Sequence, residues 1–155
     1  MDNTTSKVAK IITFKVADHW FALPMDTVLK IVNCPSPDKG GIVNLGMVQL
    51  GAHTIHLLDL YNTFGFGTNA TYPDQTPFLL VLRGTQQKLW GFALENAPDL
   101  LDLPHTIFKS VSTDKRFTSK KQWISHIAII SEQDINRTLL LLDLKAIFQN
   151  EIVAV

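Results

Sequence analysis

The chain has 155 residues and a mass of 17.3 kDa, with 46% hydrophobic residues and 14 basic against 14 acidic side chains. That length holds one domain or two small subdomains sharing a core, and burial of roughly 70% of the unfolded surface makes covalent staples unnecessary. The apolar share excludes a disordered chain, zero formal charge argues against general nucleic-acid binding, and the lone Cys34 excludes an internal disulfide and a cysteine-based zinc site.

The start, Met1 to Lys7, is polar and lacks a signal-peptide pattern. The longest apolar run, Thr138 to Leu144, is interrupted at Asp143, far short of the roughly 20 residues of a membrane helix. A soluble, cytoplasmic, globular protein is the expectation.

In chain order, a strand over Ile11–Val16 meets a polar turn, Ala17-Asp18-His19, and a second strand over Trp20–Leu23. A short segment around a proline follows at Pro24–Lys30. Strands over Met47–Leu50 and Thr54–Leu58 flank a turn at Gly51-Ala52-His53, and a short helix is predicted over Leu60–Phe64. Gly65–Pro77 reads as a connector, rich in Gly, Asn, Thr and Pro. The order then repeats: strands Phe78–Arg83 and Leu89–Leu94, a segment Pro98–Leu101, strands Ile124–Ile130 and Thr138–Leu142, and a helix Leu144–Phe148. The runs are short, rich in β-branched and aromatic residues, and bounded by turn chemistry.

The repeat is visible residue by residue. Thr54-Ile-His-Leu-Leu-Asp-Leu-Tyr-Asn-Thr-Phe64 resembles Thr138-Leu-Leu-Leu-Leu-Asp-Leu-Lys-Ala-Ile-Phe148 at an offset of 84. Phe21-Ala22-Leu23 matches Phe92-Ala93-Leu94 at an offset of 71. The second half therefore carries about thirteen more residues, and the polar stretch Lys109–Lys121 is where they fit. Two half-chains near 70 residues bury too little alone, so the two small barrels are expected to share a core.

No catalytic constellation emerges. Asp59 and Asp143 could be an acid/base pair or helix N-caps. Both occupy the same slot of the repeat, between a strand and a helix, which favours caps. His53 and His56 are three apart on a strand, so they face opposite sides and make a poor metal clip. His126 lies in an alternating strand, and His19 and His105 fall in turns. Cys34 precedes Pro35-Ser36-Pro37 without a basic neighbour to activate it. Lys109, Lys115, Arg116, Lys120 and Lys121 read as a solvated loop, or with Phe117 and Trp123 as a modest partner patch. No phosphate-loop, dinucleotide or zinc-protease pattern is present. No cofactor or metal is expected.

The residues that carry the repeat also resemble the CheW-like family of chemotaxis coupling proteins, over roughly Val8 to Phe148. Phe14 through Ile31, with Val28-Leu-Lys-Ile31, is similar to the family's opening hairpin and its Val-x-Glu-Ile segment. Gly46-Met-Val-Gln-Leu50 through Leu57-Leu-Asp-Leu60 is similar to Arg-Gly-Val-Ile-Asn-Leu-Arg-Gly and the later Pro-Val-Ile-Asp-Leu. Gly91 through Pro104 resembles Gly-Leu-Leu-Val-Asp-x-Val-x-Glu-Val-Leu-x-Leu-Pro, and Leu139–Phe148 the closing Leu-Leu-Asp-Leu helix.

The resemblance implies a mainly β chain of two SH3-like five-stranded barrels related by a pseudo-twofold axis. It implies one domain over 8–148, with subdomains at about 8–64 and 78–148, a connector at 65–77, and room for strand exchange between the barrels. It implies a non-catalytic adaptor that joins methyl-accepting chemoreceptor tips to the regulatory domain of a CheA-type histidine kinase. The alternative is a small-barrel nucleic-acid binder, which the neutral charge disfavours. Val28, Gly46 and Met47 match the receptor-facing pattern. Lys30, Leu45 and Gly51 depart from it: Lys30 replaces a glutamate, and Leu45 and Gly51 stand in place of two arginines. Those departures imply altered receptor contacts, since Arg to Gly removes a five-donor fork and Glu to Lys inverts a charge.

Overall fold

The computed structural model describes residues 8–35, 41–42, 46–60, 76–84, 87–111, 123–132 and 134–153. Twelve strands are present among them, with two 3-10 turns and one helix. The first half holds β1 (Val8–Val16), β2 (His19–Pro24), a 3-10 turn (Met25–Thr27), β3 (Val28–Asn33), β4 (Gly41–Ile42), β5 (Met47–Leu50) and β6 (His53–Leu57). The second holds β7 (Phe78–Arg83), β8 (Leu89–Leu94), β9 (Asp99–Pro104), a 3-10 turn (His105–Ile107), β10 (Lys109–Ser110), β11 (Ile124–Glu132), β12 (Ile135–Leu142) and the helix α1 (Leu144–Val153).

Two six-stranded sheets form, in the orders β10-β11-β12-β2-β1-β9 and β4-β5-β6-β8-β7-β3. Position by position the two orders are the same, so the duplication is one of topology as well as of sequence. Each sheet has one strand more than the five expected. The extra members are the two-residue strands β4 and β10, too short to carry a hydrophobic period. β10 opens the stretch that the repeat marks as inserted.

Each sheet takes its central hairpin from one half and its other four strands from the opposite half. The two compact units follow the sheets, and not the chain order of residues 8–64 and 78–148. Among the described residues, one comprises those within 1–14, 18–25 and 98–155, the other those within 15–17 and 26–97. The exchange is made by two parallel pairings. Leu139, Leu140 and Leu141 of β12 register with Trp20, Phe21 and Ala22 of β2. Ile55, His56 and Leu57 of β6 register with Leu89, Trp90 and Gly91 of β8.

In the first unit, Ile11, Ala22, Ala128 and Leu139 form a cluster with Trp20 and Leu103 packed against it. Phe14 and Phe21 stack with ring centroids 5.9 Å apart. The β1–β2 turn places both Ala17 and Asp18 at positive φ, which is the two-residue turn that follows strand twist. In the second unit, Val48, Ile55, Leu57, Leu79, Val81 and Ala93 form the cluster. β7 is buried on both faces, with Leu79, Leu80, Val81 and Leu82 all inaccessible. That is why its sequence is a continuous apolar run without alternation.

Thr13 is fully buried in the first unit, and its hydroxyl has no hydrogen-bond partner among the described residues. A buried hydroxyl left unsatisfied is destabilising. Thr13→Val keeps the branched shape and removes the polar atom, so it is expected to raise unfolding free energy by about 1 kcal/mol, read from the denaturant midpoint.

Candidate functional site

Five of the six surface candidates, Val28, Lys30, Gly46, Met47 and Gly51, fall in the second unit. Leu45 lies outside the described residues. Val28 opens β3, half-buried, and registers with Leu82 of β7. Met47 opens β5 with 44% of its surface exposed and registers with His56 of β6. Because His56 registers with Trp90, and Trp90 with Leu82, the sheet joins the two ends into one row: Met47, His56, Trp90, Leu82, Val28. Cross-strand partners share a face, so these five side chains lie on the face opposite the Val48–Ile55–Val81 cluster. Four strand spacings put Met47 and Val28 roughly 20 Å apart along the sheet.

Three members of the row, His56, Trp90 and Leu82, were not among the surface candidates read from the sequence. The His56 ring packs on the Trp90 indole with centroids 5.3 Å apart at 43°. The indole in turn lies over Gly84, where any Cβ would overlap its Cδ1 and Nε1 atoms. Gly84 also ties the turn with its N–H donating to the Lys88 carbonyl at 2.9 Å. In sequence, His56 and Trp90 are 34 positions apart and no local pattern links them. Only the register of a parallel pair does so.

Gly46, at φ 79°, accepts from the Leu57 N–H at 2.9 Å and starts the β5–β6 hairpin beside Met47. Gly51 lies at the far end of that hairpin, exposed. Thr54 donates to Gln49 Oε1 at 2.7 Å, and Gln49 Nε2 donates to the Gly51 carbonyl at 3.0 Å. Lys30 is exposed but sits outside the row. A β-bulge between Val28 and Lys30 shifts it opposite Val81, so Val28 and Lys30 do not act as simple i, i+2 neighbours.

The two carboxylates occupy the ends of separate sheets, each after the strand of a parallel pair. Asp143 is a helix cap: its Oδ1 accepts from the Ala146 N–H at 3.3 Å, and its carbonyl takes the first helical bond from Ile147 at 3.0 Å. Asp59 stands at the matching place after β6, half-buried, before the buried Leu60. The helix expected from Leu60 to Phe64 lies outside the described residues beyond Leu60.

The other chemical candidates dissolve into structure. Trp123 is 7% exposed, so it is a core residue and not a surface aromatic for a partner patch. Lys115, Arg116, Phe117, Lys120 and Lys121 lie outside the described residues. His126 Nδ1 meets the Ser125 hydroxyl at 2.8 Å beside a β-bulge, and His53 is exposed. Burial pushes the Cys34 thiol above its usual pKa, and a hydrogen bond with Thr76 acts the other way. A raised pKa disfavours the thiolate and hence a nucleophile. Among the described residues no group of three or more metal-binding side chains occurs, and no helix is long and apolar enough to cross a membrane.

A family model described as the CheW-like domain matches residues 10–151. No curated protein matches the chain. Among solved structures, the crystal structure of the scaffolding protein TtCheW from Thermoanaerobacter tengcongensis is similar, at 14% identity and a TM-score of 0.63, over 88% of this chain and 84% of that one. That likeness shows the fold, a mainly β chain of two sheets.

The capping role of Asp143 has a direct measure. Asp143→Ala is expected to lower unfolding free energy by about 1 kcal/mol, whereas Asp143→Asn, an equally good cap, stays near the parent in the same denaturant titration.

Proposed function

The chain belongs to the CheW-like domain family, and from that membership we propose that it is a non-catalytic adaptor joining chemoreceptor tips to the regulatory domain of a CheA-type histidine kinase. The observation that carries the reading is the family match over residues 10–151, nearly the whole chain. The two sheets of identical strand order agree with it.

The receptor is taken at Val28, Gly46 and Met47, with Met47 the exposed end of the row and Leu82 within it fully buried. Met47, Leu29 and Ile31 are large apolar side chains left 40–44% exposed in this unit, which suits docking better than solvation. The chain is a divergent member whose receptor contacts differ from the family pattern at Lys30, Leu45 and Gly51. Asp59 and Asp143 serve the fold. The nucleic-acid alternative has no support: the charge is neutral, and Trp123, an aromatic that could have stacked bases, is buried.

Isothermal titration against the kinase regulatory domain and against a receptor tip tests this directly. Binding to both at about micromolar Kd, near −8 kcal/mol, is expected, and absence of binding to either partner overturns the adaptor reading. Met47→Asp places a charge on the exposed end of the row without touching the core. It is expected to weaken the receptor tip at least about tenfold, close to 1.4 kcal/mol, and to leave kinase binding and unfolding unchanged.

A further inference from the structure

We infer that the cleft between the start of β12 and the β1–β2 turn binds an extended peptide of a partner chain, one with a single acidic side chain two positions from an apolar one. The inference concerns the first unit and stands apart from the adaptor reading, since it needs neither receptor nor kinase.

The cleft is a consequence of strand length. β12 runs from Ile135 to Leu142, but its parallel partner β2 joins it only at Leu139, opposite Trp20. Four residues, Ile135 to Thr138, precede the pairing. In the second unit β6 begins at His53 and its pairing with β8 begins at Ile55, so two residues precede it. The longer overhang leaves a cleft of about 410 Å³ between β12 and the turn that carries Asp18, a size within the roughly 300–1,000 Å³ of ligand clefts. Ile135 and Arg137 line it from one face of β12, Asn136 and Thr138 from the other. Side chains of both faces meet along a strand's edge, so the cleft follows the edge.

The direction of the backbone there follows from the far end of the strand. The Asp143 N–H donates to the Trp123 carbonyl, on the β11 side, at 2.6 Å. Successive residues of a strand send their N–H and C=O to alternate sides, so those of Leu142, Leu140, Thr138 and Asn136 point toward β2. Asn136 lies before β2 begins, and among the described residues its N–H and C=O meet no backbone partner. Its side chain is held across the hairpin, where Oδ1 accepts from the Ser131 hydroxyl at 2.6 Å. An open N–H and C=O at a strand edge are met by another extended chain, which supplies an acceptor and a donor at the same spacing.

Side chains select among extended chains. The Arg137 guanidinium lies over the Trp20 ring, 3.8 Å from its centroid, which holds it half-buried beside the edge. A guanidinium carries five N–H donors, so a neighbour that engages some of them leaves others for a ligand carboxylate. A peptide residue opposite Arg137 shares its face, as cross-strand partners do, and opposite charges there attract. Two positions along the same face stands Ile135, 64% exposed, which an apolar peptide residue covers. Asp18, at the turn end of the cleft, repels a further acid, so one carboxylate fits and an acidic run does not.

The experiment adds the peptide Thr-Val-Thr-Glu-Thr, capped at both ends, to the isotope-labelled full chain and follows the amide shifts. Saturable shifts at Asn136 and Thr138, with a Kd below about 1 mM, are expected. Replacing the peptide glutamate by lysine is expected to weaken binding at least about tenfold, and Arg137→Glu in the chain to reverse that preference. Asn136→Pro removes the N–H that faces the cleft and breaks no bond to β11. It is expected to weaken binding at least about tenfold and to leave the unfolding midpoint near the parent. Should either variant unfold, a peptide methylated on its backbone nitrogens, added to the parent chain, reads the same loss without touching the fold. No saturation at about 1 mM peptide, or shifts confined to other strands, overturns the inference. Equal affinity for the glutamate, lysine and methylated peptides overturns it as well. Shifts of the same size from free glutamate mark a site for small carboxylates and overturn the assignment to an extended peptide.

Discussion

The two parallel pairings, β6 with β8 and β12 with β2, are the constraint on which the molecule depends. Each attaches a hairpin from one half of the chain to four strands from the other half. A two-stranded hairpin is marginal on its own in water. Here β1–β2 is held through β2 by β12 and through β1 by β9, and β7–β8 is held in the same way by β6 and β3. Parallel strands cannot be joined by a tight turn, so such pairings always bring together segments distant in sequence. The leucine run Leu139–Leu142 is the chemical side of this arrangement: an interior strand with partners on both edges needs apolar side chains on both faces.

The row from Met47 to Val28 is a by-product of the same constraint. A slip of β6 by one residue against β8 would turn His56 toward the Val48–Ile55 cluster and bring Ile55 and Leu57 to the face that carries Trp90. The observed register is the one in which the alternating apolar residues of β6, Ile55 and Leu57, both reach the cluster. Packing on one face of the sheet therefore sets which residues stand in a row on the other. The position of Trp90 is further defined by Gly84, whose lack of a side chain lets the indole lie across the turn. The bulge after Val28 removes Lys30 from the row by the same local means.

Much of this was legible from residues. The hairpin Phe78–Arg83 with Leu89–Leu94 and the strand Met47–Leu50 are read with the right bounds, because apolar runs and turn residues delimit them. The strands at Val28–Asn33 and Asp99–Pro104 were not read as strands. They lie at sheet edges, half exposed, and their sequences show neither alternation nor a turn at each end. The repeat was read with a small displacement. Sequence identity aligns Phe21 with Phe92, but the structure gives Trp90 the place of Phe21, since His56 and Leu140 are equivalent and pair with them. The displacement is two positions, which preserves the face of every strand residue and so hid the difference.

By itself the sequence determined a duplicated, mainly β chain, the strands β5, β7 and β8 with their bounds, the carboxylate cap at Asp143, and membership of a family of known fold. Those properties are local, or they repeat, and local periodicity and repetition are what a sequence displays. The tertiary structure alone decided that the halves exchange their hairpins, that Met47 and Val28 terminate one row, and that His56 and Trp90 complete it. Register between strands far apart in the chain is set by the joint packing of both faces of a sheet, and no single segment contains that information.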